Sequence, residues 1–294
     1  TVKEMISSIL GLQAPVLATS GNLNNEIGVP LTLFGLDGQH QYAVIEMGAN
    51  HAGEIGSLSK LVKPAVALIT QCAPAHLEGF GSVDGVARAK AEIYSGLVSE
   101  GCAVINADDD YSDYWRDVAA GYRQISFRIS SQADVSATDM VFHPDTVKTA
   151  FTLNTPAGSL AINLPLAGRH NVLNALAAAA CCTALHIHPE VMKQGLERMS
   201  QVHGRMQMVM TSNGTRIFDD TYNANPGSLT AGLQVLSGYP GKRWLVLGDM
   251  GELGEYSADL HRQAGETARE QGVERLYAVG KFSQQAAEGF GNGN

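Results

Sequence analysis

The chain has 294 residues, 45% of them hydrophobic, 17% charged and only 6% aromatic. At roughly 100–200 residues per domain, this length accommodates about two domains with cores of their own, and the apolar content excludes a disordered chain. With 20 Lys and Arg against 29 Asp and Glu, the net charge is −9, which leaves no basic field to hold a nucleic-acid backbone; a small anion can still be met by a metal ion or backbone amides.

Residues 1–10 place Val2, Met5, Ile6, Ile9 and Leu10 on one stripe and predict a helix. TSGNLNNEIGVP, rich in Gly and Asn, reads as a loop. YAVIEMGAN reads as a buried strand that ends at Glu46 and a glycine turn. Residues 54–63 have helical periodicity, AVALIT at 65–70 is a second buried strand, and APAHLEGFG is a loop before a helix over 83–98. CAVIN at 102–106 is a third strand, followed by Asp108, Asp109 and Asp110. Strands separated by helical patterns predict crossover units and a parallel sheet.

Between Arg123 and Leu166 the texture changes. ISFRIS, MVFHP, TAFTLNT and SLAINLPL are short alternating runs separated by turns, which predicts antiparallel strands. GRHN opens an alanine-rich helix over 171–186, and a second helix runs from Pro189 to Met199. QVHGRMQ reads as a linker. Beyond it TRIFDD, WLVLGDM and LYAVG are strands alternating with helices, so a second α/β unit starts near residue 206. The longest nearly apolar stretch, Ala175 to Leu185, falls far short of the roughly 20 residues of a membrane-spanning helix. Cys72, Cys102, Cys181 and Cys182 show neither metal-ligand spacing nor a disulfide framework, a usage that fits a reducing cytoplasm.

In open α/β sheets ligands bind at the carboxyl ends of strands, so polar residues there are candidates. Glu46 ends the first strand and His76 follows the second. Together they would suit a hard divalent cation that shares oxygens with phosphate; separately, they read as a helix cap or solvated turn and an ordinary loop histidine. Lys90 lies on the apolar stripe Val83, Val86, Lys90, Ile93, Leu97, where lysine is rarely found unpaired. Either its stem snorkels to the helix edge, or the amine has lost its charge to chemistry, as carbamylation by CO2 would cause. Asn171 falls at a helix start, and on spacing alone it reads as an N-cap. Asn225-Pro226 reads as N-cap and first helical residue, which leaves Asp220, Tyr222 and Asn223 to explain. Arg205 in the linker is either a surface charge or a phosphate clamp at a domain junction. Asp249 and Glu252 close the strand WLVL.

TSGNLNNEIGVP, EMGANHAGEI, AHLEGFGSVDGVARAKAEI, GRHNVLNALAAAA, DDTYNANPGS and LGDMGELG occur in this order across nearly the whole chain. Together they resemble the Mur ligases of cell-wall synthesis. The resemblance implies an α/β protein: a central, mostly parallel-sheet ATPase domain with an antiparallel β portion over 1–203, then a partial Rossmann-like C-terminal α/β domain over 206–294. It implies an ATP-dependent amide-bond ligase, in which a substrate carboxylate attacks the γ-phosphate to form an acyl phosphate and an amine then displaces phosphate. The motifs are nearest to members that add D-alanyl-D-alanine to a UDP-N-acetylmuramoyl-tripeptide, with ATP and Mg2+, as cytoplasmic monomers. Carried over motif by motif, Glu46 and His76 are magnesium ligands and Lys90 is the carbamylated lysine that supports a second magnesium. Lys90, Arg205 and His76 hold the catalytic roles. Asn171 touches the adenine, Asp220 the ribose and Arg205 the γ-phosphate, with His170, Tyr222 and Asn223 in the same nucleotide set. Asn22, Asn24 and Asn25 face the UDP-linked substrate, and Asp249 and Glu252 the incoming dipeptide.

The family's Gly-Lys-Thr phosphate loop occurs nowhere in the chain, nor does its UDP-gripping domain. The expectation is therefore a piece of a longer enzyme, inactive alone. A ligase adding the third residue and folylpolyglutamate synthetase are the neighbouring alternatives, and DDTYNANP argues against both. A non-catalytic nucleotide-binding relative would be free to lose Glu46, His76 and Lys90.

Overall fold

A computed structural model describes residues 1–74, 77–129 and 133–291. Helix α1 (Val2–Leu10) buries Met5, Ile9 and Leu10 of the predicted stripe. Strand β1 (Val16–Ala18) then leads to a helix, α2 (Gly28–Phe34), which begins inside the stretch expected to be loop. That helix exists because the Asn25 side-chain oxygen accepts from the Ile27 and Gly28 amides at 3.2 and 2.8 Å, while Val29 and Thr32 are buried. Strand β2 (Tyr42–Val44) pairs in parallel with β1 as a separate two-stranded sheet. Of the expected buried strand only these three residues are extended, and only Val44 is buried. The chain leaves the ladder because the Glu46 amide donates to Thr19 Oγ1 at 2.9 Å and the Gly48 amide to the Asn24 carbonyl at 2.7 Å.

The main sheet has six strands in the order β3-β4-β5-β6-β7-β8. Helix α3 (Glu54–Val62) precedes β3 (Val66–Ile69); a single turn, α4 (Leu77–Phe80), and α5 (Val83–Ala91) precede β4 (Cys102–Asn106). The predicted 83–98 helix tightens into a 3-10 turn at Glu92–Gly96. All five residues of β4 are buried, as expected of a strand covered on both faces. Helix α6 (Ser112–Val118) carries the chain back over the sheet to β5 (Arg123–Arg128), anchored by fully buried Trp115, whose indole N–H donates to the Ala87 carbonyl at 3.1 Å.

That crossover corrects the expectation for ISFRIS: β5 is parallel to β4 and to β6 (Val135–His143). Only β6, β7 (Lys148–Thr155) and β8 (Gly158–Leu164) run antiparallel, so the meander extends the parallel sheet. Helix α7 (Arg169–Ala184) lies in the core with Ala175 through Cys182 all buried, against α1 and α8 (Pro189–Glu197). Alanine at these positions lets a helix that is apolar all round fit between layers.

Beyond residue 204, β9 (Gln207–Met210) and β10 (Arg216–Asp219) form an antiparallel hairpin; TRIFDD is thus a strand, but not one that a helix separates from its partner. After α9 (Pro226–Ser237), β11 (Trp244–Leu247) pairs in parallel with β12 (Arg275–Ala278), with α10 (Ser257–Glu270) between them and α11 (Ser283–Phe290) following. Helices α10 and α11 touch backbone to backbone: a Cβ on Gly289 would stand 1.9 Å from the Arg262 carbonyl oxygen, so no larger residue fits there. Phe142, Val147 and Ala167 pack against Met206, Phe218, Val235 and Tyr239, joining the two parts of the chain through one apolar cluster.

Candidate active site

The loops after β1 and β2 meet. Asn24 Nδ2 donates to Glu46 Oε1 at 3.0 Å, so the expected substrate-facing and metal-ligating motifs form one contact. Asn25 is engaged by the α2 cap, and Asn22 is exposed. His76 lies outside the described residues.

Lys90 is partly buried on α5, and its Nζ donates to the Gln71 carbonyl at 2.8 Å. Burial lowers its pKa, and the charges of Cys72 and Asp109 only partly oppose that. No carboxylate lies within ion-pair distance of it among the described residues. Asp109, at the end of β4, accepts from the Cys72 amide at 2.6 Å and the Tyr111 amide at 3.0 Å; burial nevertheless raises its carboxyl pKa. Burial also pushes the Cys72 thiol up to about 11. Sequence reasoning noticed Asp109 in the run after CAVIN and found no role for it.

At the start of α7 the N-cap is Gly168, at φ 95°, not Asn171. Gly168 sits there because a Cβ would fall 2.4 Å from Val235 Cγ2 on α9. Asn171 is therefore inside the helix and only 5% exposed, with Nδ2 donating to the Ala167 carbonyl at 2.8 Å and Oδ1 accepting from Asn174 at 3.3 Å. Burial lowers the His170 pKa to about 4, which leaves a neutral imidazole at pH 7.

The residues around the expected linker do gather. The Arg205 guanidinium stands 4.0 Å above the Tyr222 ring, a cation–π contact, and the Tyr222 amide donates to the Gly204 carbonyl at 3.1 Å. Asp220 accepts from the Met206 amide at 3.1 Å; burial raises its carboxyl pKa against the pull of Arg205. Asn223 closes a local contact with the Ala224 amide at 2.9 Å, and Asn225 makes a capping box with Ser228, as its spacing predicts. Arg205 and Glu46 both lie near Thr1, at the start of α1. The linker cation and the strand-end acid thus stand around one helix start.

The GDMGELG turn is different. Asp249 accepts from the Lys281 and Phe282 amides at 2.7 and 3.0 Å, and these bonds hold its pKa below the usual carboxylate range. Glu252 takes a left-handed φ of 61°. Buried His261, absent from the sequence reading, supports the turn: Nε2 accepts from the Met250 amide at 2.9 Å while Nδ1 faces the Ser257 carbonyl at 2.6 Å. Its spacing on the α10 stripe gave no hint of this, because the amide it serves lies on another element. Among the described residues no three His, Cys, Asp or Glu side chains form a metal-sized group.

The α/β fold thus sets Glu46 in the loop that leaves β2 and the amine of Lys90, with no carboxylate within ion-pair distance among the described residues, against the loop that leaves β3; in open α/β sheets ligands bind at such strand ends. The chain belongs to the Mur ligase family: the model of the Mur ligase middle domain matches residues 1–182, and that of the Mur ligase glutamate ligase domain matches 204–293. It is 46% identical over 296 residues to the UDP-N-acetylmuramoyl-tripeptide–D-alanyl-D-alanine ligase of Escherichia coli K12, covering 100% of this chain and 65% of that protein. The crystal structure of MurF from Acinetobacter baumannii superimposes with a TM-score of 0.94 at 43% identity, covering 98% of this chain and 62% of that one. MurF from Thermotoga maritima in complex with ADP gives a TM-score of 0.86 at 26% identity, over 97% and 65% of the two chains. The chain thus spans just under two-thirds of the length of these relatives.

Proposed function

We propose that the chain carries the carboxylate-activating machinery of an ATP-dependent ligase of peptidoglycan precursor synthesis, one that joins D-alanyl-D-alanine to a UDP-N-acetylmuramoyl-tripeptide in the cytoplasm. Residues 1–203 form its ATP-binding domain and 206–294 belong to its C-terminal domain. The observation that carries this reading is a pair of cations with no carboxylate within ion-pair distance among the described residues: partly buried Lys90, tied only to a backbone carbonyl, and Arg205, whose guanidinium stands over the Tyr222 ring. The names of the relatives, and the ADP in one of them, supply the ligand chemistry.

In this reading the tripeptide carboxylate attacks the γ-phosphorus of ATP and ADP leaves. The dipeptide amine then adds to the acyl carbon, and phosphate departs from the tetrahedral intermediate. Arg205 meets the γ-phosphate, and closure of one domain on the other brings it there. Neutral His170 and Asn171 line the adenine end, Asp220 takes the ribose, and Tyr222 and Asn223 complete that wall. Asn22, Asn24 and Asn25 face the UDP-linked substrate, Asp249 and Glu252 the dipeptide. Desolvated Lys90 suits carbamylation: the neutral amine donates its lone pair to the carbon of CO2, a C=O π pair moves onto oxygen, and one N–H proton leaves to water. Among the described residues the Glu46 carboxylate has a single side-chain partner, Asn24; carboxylate and carbamate oxygens are of the hard type that fits Mg2+. Glu46 and His76 would hold one such ion and carbamylated Lys90 would support a second, each supplying neutralising charge at the phosphate oxygens.

The test is phosphate release by the intact gene product given ATP, tripeptide substrate and a panel of amines. D-alanyl-D-alanine is the expected acceptor, and Lys90→Ala is expected to lower kcat by about 10³-fold, the upper range for losing one preorganised electrostatic group. Full activity of that variant, or preference for a single amino acid as acceptor, defeats the reading.

A further inference from the structure

We propose that Asn106 and Asp109, both at the carboxyl end of β4, are positioning residues that together aim the amine of Lys90. The inference rests on the carbamate reading above. The loop that leaves β3 runs Thr70-Gln71-Cys72, and the end of β4 and the turn after it grip it on either side of Gln71. Asn106 Nδ2 donates to the Thr70 carbonyl at 2.8 Å, and Asp109 Oδ2 accepts from the Cys72 amide at 2.6 Å. The carbonyl between these two grips, that of Gln71, receives Lys90 Nζ at 2.8 Å.

Both grips are themselves braced. Asn106 is 2% exposed, and its Oδ1 accepts from the Asp108 amide at 3.0 Å. The second oxygen of Asp109 accepts from the Tyr111 amide at 3.0 Å. The peptide units on each side of Gln71 therefore cannot rotate without breaking a bond either to Asn106 of fully buried β4 or to Asp109 of the turn that follows it, and the direction of the Gln71 carbonyl is set by this end of β4.

The consequence is geometric. A lysine carbamate keeps one N–H after the other proton has left. Its C–N bond is conjugated and its five central atoms are planar, as in a peptide. Holding that N–H on the Gln71 carbonyl fixes the plane of the carbamate, and with it the direction of the two oxygens. Without the brackets the amine still exists, but the long lysine side chain distributes its product over many rotamers. Neither Asn106 nor Asp109 touches substrate in this scheme; both act through Gln71.

The experiment reads carbamate on the chain by 13C NMR in 13C-bicarbonate, with Lys90→Arg as the blank. Asp109→Ala and Asn106→Ala are each expected to lower the Lys90-dependent signal at least threefold. Asp109→Asn, which keeps one acceptor oxygen, is expected to fall between them and the wild type. Asp134→Ala is the control for general loosening: Asp134 accepts from the amide and hydroxyl of Ser126, both at 2.7 Å, elsewhere on the same sheet. It is expected to keep the full signal. Undiminished signal in Asp109→Ala and Asn106→Ala overturns the bracket and leaves the carbamate reading standing. An equal fall in Asp134→Ala overturns it as well, by tracing the loss to stability. A wild-type chain with no signal above the Lys90→Arg blank overturns the carbamate reading and the bracket together.

Discussion

Acids and cations stand at strand ends in both parts of the chain, yet the two places work differently. Among the described residues, Lys90 reaches only a carbonyl, Arg205 lies on an aromatic face, and the Glu46 carboxylate has one amide partner. At the β11 turn, Asp249 already accepts two backbone amides, one at each oxygen, from the loop that follows β12. A charge whose hydrogen-bonding capacity is left over is available to a ligand; one whose oxygens hold the backbone is mainly doing structural work. Position at a strand end does not distinguish the two, but the inventory of partners does.

The sharpest way to break this contrast is to remove Arg205. In the intact gene product, Arg205→Ala is expected to lower kcat/KM for ATP by about 10²-fold, as for loss of a charged phosphate clamp, with the unfolding midpoint unchanged. Arg205→Lys is not expected to restore it, since a point charge does not bond a phosphate in two places. Equal loss of stability and activity would make Arg205 a structural residue.

Asp249→Ala should behave in the opposite way. Leaving two amides without their acceptor is expected to cost about 2 kcal/mol in urea unfolding. Because Asp249 is also proposed to face the dipeptide, a raised KM for it is expected beside that loss; unchanged stability would show that its two amide bonds hold nothing in place. Smaller still is Asn225→Ala, which removes the capping box of α9 and is expected to cost about 1 kcal/mol. Measured by the same unfolding, it calibrates what a purely local contact is worth in this part of the chain.

The mildest test uses pH. The folded-state pKa of His170 is depressed by burial to about 4 from 6.5, so the unfolded chain binds a proton first as pH falls. Stability from this group is therefore fully present above pH 6.5 and is lost progressively between 6.5 and 4. His170→Phe should flatten the slope of stability against pH in that window. An unchanged slope would mean that His170 is already solvated in the folded chain.

Much of the fold was legible because it is encoded locally. The stripe of α1, the continuous apolar run of β4, the alanine helix α7 and the Asn225 cap all depend on neighbours within a few residues. The candidate site was legible as motifs, and the structure brings Asn24 to Glu46 and Arg205 to Tyr222. What each residue does locally was less visible. Asn171 read as an N-cap, but Gly168 starts the helix, and the reason is a methyl group of Val235 in a distant helix.

The boundary between the two kinds of information follows from range. Periodicity and capping select helix or strand through contacts of at most a few residues, so length, composition and motif order sufficed for an acidic α/β chain of the Mur ligase type. Strand direction and the fate of loop amides depend on partners tens of residues away. That is why β5 turned out parallel once α6 carried the chain back over the sheet. It is also why Asp109, one of three consecutive aspartates in the sequence, became identifiable only when its carboxylate was seen holding the amide of Cys72 beside the carbonyl that receives Lys90.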